Sequence, residues 1–154
     1  MKKLYIVIDN IRSAYNVGSI FRTADGVGNT TIYICGIAPT PEHIIVAKTS
    51  LGSTDSVEWK YFKTTKEAIE DLKKQNIPVF AVEITDTAKL YCDFKYPEIC
   101  ALVLGHETEG VSRHILKICD DAIYVPMNGK KESLNVATTA GIVMYEAMKD
   151  NFKS

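Results

Sequence analysis

The sequence reads as an α/β domain: a mostly parallel sheet with helices on both of its faces. Three features point there. Short β-rich runs alternate with amphipathic stretches of helical period. The run Ile99-Cys-Ala-Leu-Val-Leu104 is apolar without interruption, as in a strand covered on both sides. A length of 154 residues, 46% of them hydrophobic, suffices for one sizeable core in a single domain.

Taken in order, Leu4 to Ile8 is a strand and Gly18 to Val27 a helix, followed by β-rich Thr30 to Cys35. Gly36 to Ser56, with Pro39, Pro41 and Gly52, breaks the alternation and is loop, apart from a short helix near Glu42 to Lys48. Thr64-Thr-Lys-Glu67 has the form of a capping box, and Ala68, Ile69 and Leu72 share one face behind it. Ile77 to Val82 and Ile99 to Leu104 are strands. Ser112 caps a helix that turns Ile115, Leu116 and Cys119 inward. Ala122 to Val125 is a short strand. A last helix starts near Ser133 and buries Val136, Ala140, Val143, Met144 and Ala147.

Composition excludes several classes. Eighteen Lys+Arg face 19 Asp+Glu, a net charge of −1, so RNA or DNA affinity has to come from a local patch or from two chains together. The longest apolar run falls far short of the ~20 residues that span a bilayer. The apolar start ends at Asp9 without a cleavage site, as a first strand does and a signal peptide does not. Cys35, Cys92, Cys100 and Cys119 lack CxxC spacing and read as reduced thiols of a cytoplasmic protein. His43, His106 and His114 have no metal-ligand spacing, so no metal is expected.

Ligands of α/β domains sit beyond the carboxyl ends of the strands. The usual phosphate loops are missing there. Asn10 to Gly18 is not GxGxxG, and Asn128-Gly-Lys-Lys131 lacks the glycine five residues before Gly129 that a P-loop needs. Three other constellations stand out. Asn16-Val-Gly-Ser-Ile-Phe-Arg22-Thr-Ala-Asp25 puts an arginine on the outer side of a helix. Leu104-Gly105-His-Glu107-Thr-Glu-Gly110 is a glycine-bounded loop holding a carboxylate. Val125-Pro-Met127 leads through a loop to Ser133-Leu134-Asn135. Ser133 suits an N-cap. Asn135, inside the first turn of the expected helix, is not explained by capping.

In combination and order these pieces resemble the SpoU/TrmH class of the SPOUT RNA methyltransferases, from about Leu4 to Met148. The resemblance implies a C-terminal trefoil knot, which nothing in the periodicity reveals. It implies S-adenosylmethionine as cofactor, held by Gly105, Val125, Met127 and Leu134. It implies methyl transfer to a ribose 2′-hydroxyl of RNA, with tRNA ahead of rRNA because no RNA-binding extension is attached. The same fold as a catalytically silent RNA-binding or assembly protein is the rival reading. Arg22 matches the catalytic arginine. The high pKa of a guanidinium leaves two roles for it: a base deprotonated with help from the RNA phosphate, or a phosphate clamp that stabilises the developing alkoxide. Asn16 would position Arg22 and the ribose, and Glu107 would orient Arg22 or the substrate loop. Ser133 and Asn135 would fix the knot loop and the ribose or phosphate. The resemblance also implies a homodimer. Two copies of Lys2-Lys3, Arg12, Arg22, Lys48 and Lys130-Lys131 would then form a joint basic surface, and the Gly36 to Ser56 loop, with Lys48 and Thr49-Ser50, is either a second RNA contact or a solvated connector.

Overall fold

The structure is a computed structural model and describes residues 1–152. Its strands are β1 (Lys3–Asp9), β2 (Thr30–Cys35), β3 (Glu58–Phe62), β4 (Val79–Val82), β5 (Lys89–Leu90), β6 (Ile99–Leu104) and β7 (Asp121–Tyr124). Its helices are α1 (Ala14–Val27), α2 (Ile44–Ser50), α3 (Thr65–Lys74), α4 (Arg113–Ile118) and α5 (Val136–Met148). The strands form one sheet in the order β3-β2-β1-β6-β4-β7-β5. Every neighbouring pair is parallel.

Period-two alternation divides the core between two faces. Leu4, Ile6 and Ile8 of β1, with Leu102 and Leu104 of β6, pack against α1 and α5. Val7, Ala101 and Val103 meet Ala68, Ile69 and Leu72 of α3 and Ile115 of α4. The uninterrupted apolar run of β6 follows directly: the strand is central and both faces are covered.

Helix boundaries differ from the sequence reading where a cap decides them. Ser13 Oγ accepts the Asn16 amide at 3.2 Å, so α1 begins at Ala14 rather than near Gly18. Thr64 Oγ1 accepts the Glu67 amide at 3.1 Å, one half of the expected capping box. Ser112 does precede α4 but makes no cap bond; its hydroxyl lies 3.1 Å from His114 Nδ1. β4 begins at Val79 and not Ile77, after Pro78, which has no N–H for the ladder. Two strands escape the sequence reading. β3 is mostly exposed and has little apolar pattern, and β5 has two residues.

The short helix expected near Glu42 to Lys48 is α2, which runs from Ile44 to Ser50 and packs closely on α1. Gly18 permits this, because a Cβ there would stand 1.7 Å from Thr49 Oγ1 and 3.0 Å from the Val46 carbonyl. Thr49 and Ser50 are therefore structural rather than RNA contacts. Thr49 Oγ1 donates to the Ile45 carbonyl at 2.8 Å, and buried Ser50 donates to that of Ala47 at 3.1 Å. Cys35 and Cys100 are buried, whereas Cys92 is exposed.

Strand order also brings distant segments together. β7 lies between β4 and β5, which follow one another in the chain. The connection after β4 packs Ala88 on the α3 side, and the return after β5 packs Tyr91, Phe94 and Tyr96 on the α1 side. Segment 79–98 thus passes around β7 on both faces.

Gly18→Ala is expected to cost about 1–3 kcal/mol by overpacking. That is a fall in Tm of roughly 2–4 °C per kcal/mol for a chain of this size. Thr49→Ala in the same chain should recover only part of it, because the Thr49 Cβ would still stand 2.8 Å from the added methyl, checked by thermal unfolding of the single and double variants.

Candidate active site at the carboxyl edge of the sheet

In a parallel sheet all carboxyl ends share one edge, which here gathers segments 9–13, 83–88, 105–112 and 125–135. The first to consider follows β6. Its two ends close on each other: His106 N–H donates to Gly110 O at 3.2 Å, and Gly110 N–H to His106 O at 2.8 Å. A Cβ on Gly105 would lie 2.4 Å from the Gly110 carbonyl carbon and 2.5 Å from Val111 N. Only glycine allows that backbone approach. Gly110 itself has φ +67°. His106 Nδ1 accepts the Thr108 and Glu109 amides at 3.2 and 3.3 Å, which tightens the turn.

Two carboxylates grip this loop. Glu107 reaches to the start of α1, where Oε1 accepts from the Arg12 amide at 3.0 Å and Oε2 from the Ser13 amide at 2.8 Å. Burial pushes the Glu107 carboxyl up. The amides of Arg12, Glu107 and Ser13, with His106 nearby, more than offset this and hold it below the usual range. On the other side, Glu83 at the end of β4 accepts the Val111 amide on Oε2 at 2.8 Å. The sequence reading missed Glu83. The available signal was a lone acidic residue just past an apolar strand end.

Asn135 resolves the question left by its sequence position. It is the N-cap of α5, and its Oδ1 accepts the amides of Ala137 and Thr138 at 2.9 and 3.2 Å. The helix therefore starts at Val136, later than expected. Ser133 is exposed, makes no hydrogen bond among the described residues and is not the cap. Asn135 Nδ2 donates to Asn16 Oδ1 at 3.2 Å, joining the first and last helices across 119 positions of sequence.

These segments enclose a cleft of about 500 Å³. Gly105, Glu107, Val125, Met127, Ser133 and Leu134 all line it. Asn16 and Asn135 stand beside it through their mutual bond. Arg22 does not line it. It is exposed and, among the described residues, has neither ion pair nor hydrogen bond. At about 1.5 Å per residue it lies roughly 9 Å along α1 from Asn16, turned to another side of the helix. Within one chain, Glu107 holds the Arg12-Ser13 segment.

The lining suits a cationic, partly aromatic small molecule. Leu104, Val125, Met127, Leu134 and Val136 supply apolar wall, which can flank a flat base. Glu83, Glu107, Glu109 and Glu132 supply negative charge, and no Lys or Arg is among the described lining residues. A sulfonium with an α-ammonium group fits this set; a nucleotide polyphosphate does not. No group of three or more His, Cys, Asp or Glu placed to hold a metal occurs among the described residues.

Known proteins resemble this chain in sequence and fold. A family model described as the SpoU rRNA methylase family matches residues 3–145. The tRNA (guanosine(18)-2′-O)-methyltransferase of Thermus thermophilus is 30% identical over 151 residues, 98% of this chain and 77% of that protein. The Escherichia coli K12 protein of the same name is 28% identical over 146 residues, and this chain spans 95% of itself and 63% of that relative. The crystal structure of the SpoU methyltransferase AviRb from Streptomyces viridochromogenes with AdoMet superposes with a TM-score of 0.89 at 25% identity, over 99% of this chain and 59% of that one. A match to the family model over nearly the whole sequence, on a parallel sheet with this loop architecture, means that the chain belongs to the SpoU rRNA methylase family.

Proposed function

We propose that this protein transfers a methyl group from S-adenosylmethionine to a ribose 2′-hydroxyl of RNA. The observation that carries the reading is the convergence of Gly105, Glu107, Val125, Met127, Ser133 and Leu134 on one cleft. The relatives named above add support, as tRNA guanosine methyltransferases and as a structure holding AdoMet. The first two act on tRNA, and we take tRNA as the substrate.

When bound, the cofactor supplies an electrophilic methyl group on sulfur. The chain's own residues do the rest. The Gly105 loop and the Val125 to Leu134 segment hold the apolar and cationic parts of the cofactor. Glu107 locks the start of α1 to that loop, and the Asn16–Asn135 pair locks α1 to α5, so the two halves of the site move as one body. Arg22 engages the RNA phosphate and stabilises negative charge as the hydroxyl loses its proton.

Arg22 faces away from the cleft of its own chain, so we assign it to the cleft of a second copy. A homodimer follows, with the outer sides of α1 and α5 as the contact. Ala137 and Gly141 keep that side of α5 narrow. The order β4-β7-β5, with segment 79–98 passing on both faces of β7, supports a knotted C-terminus. A protein with this substrate works where RNA is modified, in the cytoplasm.

Arg22→Ala should abolish methyl transfer to unmodified tRNA while calorimetry shows cofactor affinity within about twofold of wild type. Loss of cofactor affinity would contradict the division of roles. Transfer that reappears when Arg22→Ala protein is mixed with a cofactor-binding-deficient variant would verify the shared site. Gly105→Ala is the complementary change: the added Cβ meets backbone, and cofactor binding should vanish in calorimetry. Asn135→Ala removes a cap worth about 0.5–2 kcal/mol. Turnover should fall well beyond that loss, measured at a temperature where circular dichroism shows the variant fully folded.

A further inference from the structure

The Gly105 to Gly110 loop carries a titratable ring inside its turn. His106 lines the cofactor cleft and also a second recess of about 360 Å³ behind the loop. Its backbone pairs with Gly110, and its side chain has a separate task. Nδ1 accepts the Thr108 amide at 3.2 Å and the Glu109 amide at 3.3 Å. A ring nitrogen accepts only while it carries no proton. Two amides that can only donate therefore fix the tautomer: the ring is neutral, with its one proton on Nε2. Thr108 Oγ1, also 3.2 Å from Nδ1, then donates to it as a third partner.

Asn135 makes the same double contact elsewhere in the chain. Its Oδ1 accepts the amides two and three residues on, from Ala137 and Thr138. An asparagine at 106 would thus offer the same acceptor with no proton to gain. A protonated His106 would instead turn an N–H toward two N–H groups. The ring would have to swing out and release Thr108 and Glu109. Glu107, which ties the loop to the start of α1, lies on the same short turn and would lose its fixed place.

We propose that His106 is a positioning residue for the cofactor, which the loop admits only while the ring is neutral. Proton and cofactor then compete through one loop, so affinity falls as the pH falls through the histidine range. This inference rests on the methyltransferase reading. Other titratable or charged groups face the ring. Glu107 and Glu109 belong to the loop, and Glu83, Tyr124 and Glu132 line the cleft with it. Asp9 and Arg12 face it from the recess. All of these, with His43 and His114, are retained in a His106→Asn protein, so their titration is common to both sides of a comparison.

The test takes the full chain as wild type, His106→Asn and His106→Ala, each at about pH 7.5 and about pH 5.5. Calorimetry reads affinity for S-adenosylmethionine and for S-adenosylhomocysteine, whose sulfur is uncharged. Hydrogen exchange of the Thr108 and Glu109 amides in the cofactor-free protein, scaled for its intrinsic pH dependence, reads loop order. At the lower pH, wild type should lose about tenfold in affinity for both compounds, together with protection of both amides. His106→Asn should bind within about threefold of wild type at the higher pH, and keep affinity and protection at the lower one. His106→Ala should bind weakly at both. Wild-type affinity flat in pH, or an asparagine variant as weak as the alanine one or as pH-dependent as wild type, would overturn the proposal. A loss confined to S-adenosylmethionine would also overturn it, since charge repulsion alone would then be the cause. Failure of both compounds to bind wild type at the higher pH would overturn the methyltransferase reading and this proposal with it.

Discussion

The two amides ahead of α1 and the carboxylate of Glu107 form the joint on which the site depends. Arg12 and Ser13 amides at a helix start need acceptors, and an anion there also answers the partial positive charge of the helix end. Glu107 meets both needs from a loop 94 residues away in sequence. The same contact fixes where α1 begins relative to the Gly105 loop, and so where Asn16 stands. Asn135 then locates α5 by bonding Asn16 while capping its own helix. The loop is held from its other side by Glu83 on the Val111 amide. Charge-assisted bonds of this type are stronger than neutral ones, and here they are distributed to hold one short loop from two directions.

The central sheet was legible because burial on both faces leaves its mark on composition: β1, β2 and β6 are apolar runs. β3 and β5 were not, since an edge strand with an exposed face needs no apolar pattern. Ser133 and Asn135 are both of cap-forming type, and the sequence reading placed the cap at Ser133. The structure gives the cap to Asn135, whose carbonyl takes two amides. Thr49-Ser50 read as a candidate RNA contact, but both hydroxyls satisfy carbonyls of their own helix where it packs on Gly18. Glu83 showed only as a lone carboxylate past an apolar strand end, because its partner, the Val111 amide, is a tertiary contact and not a spacing.

Charge is organised locally even though the whole chain is near neutral. Carboxylates concentrate around the cleft. Arg12, Arg22, Lys48, Lys130 and Lys131 are exposed and form no ion pairs among the described residues. An acidic interior with unpaired cations outside separates attraction for a sulfonium from attraction for a polyanion, which one uniformly charged surface could not do.

The insertion of β7 between two strands that are neighbours in sequence has a consequence for how the molecule is made. On the ribosome, residues 79–98 are finished before β7 emerges, yet β5 pairs with β7 alone and has no place in the sheet until that strand arrives. The β4 edge offers unpaired backbone groups in the meantime, and mispairing there competes with completion. Assembly is thus bound to end with the tail of the chain, and the ligand cavity comes into existence only at that final event.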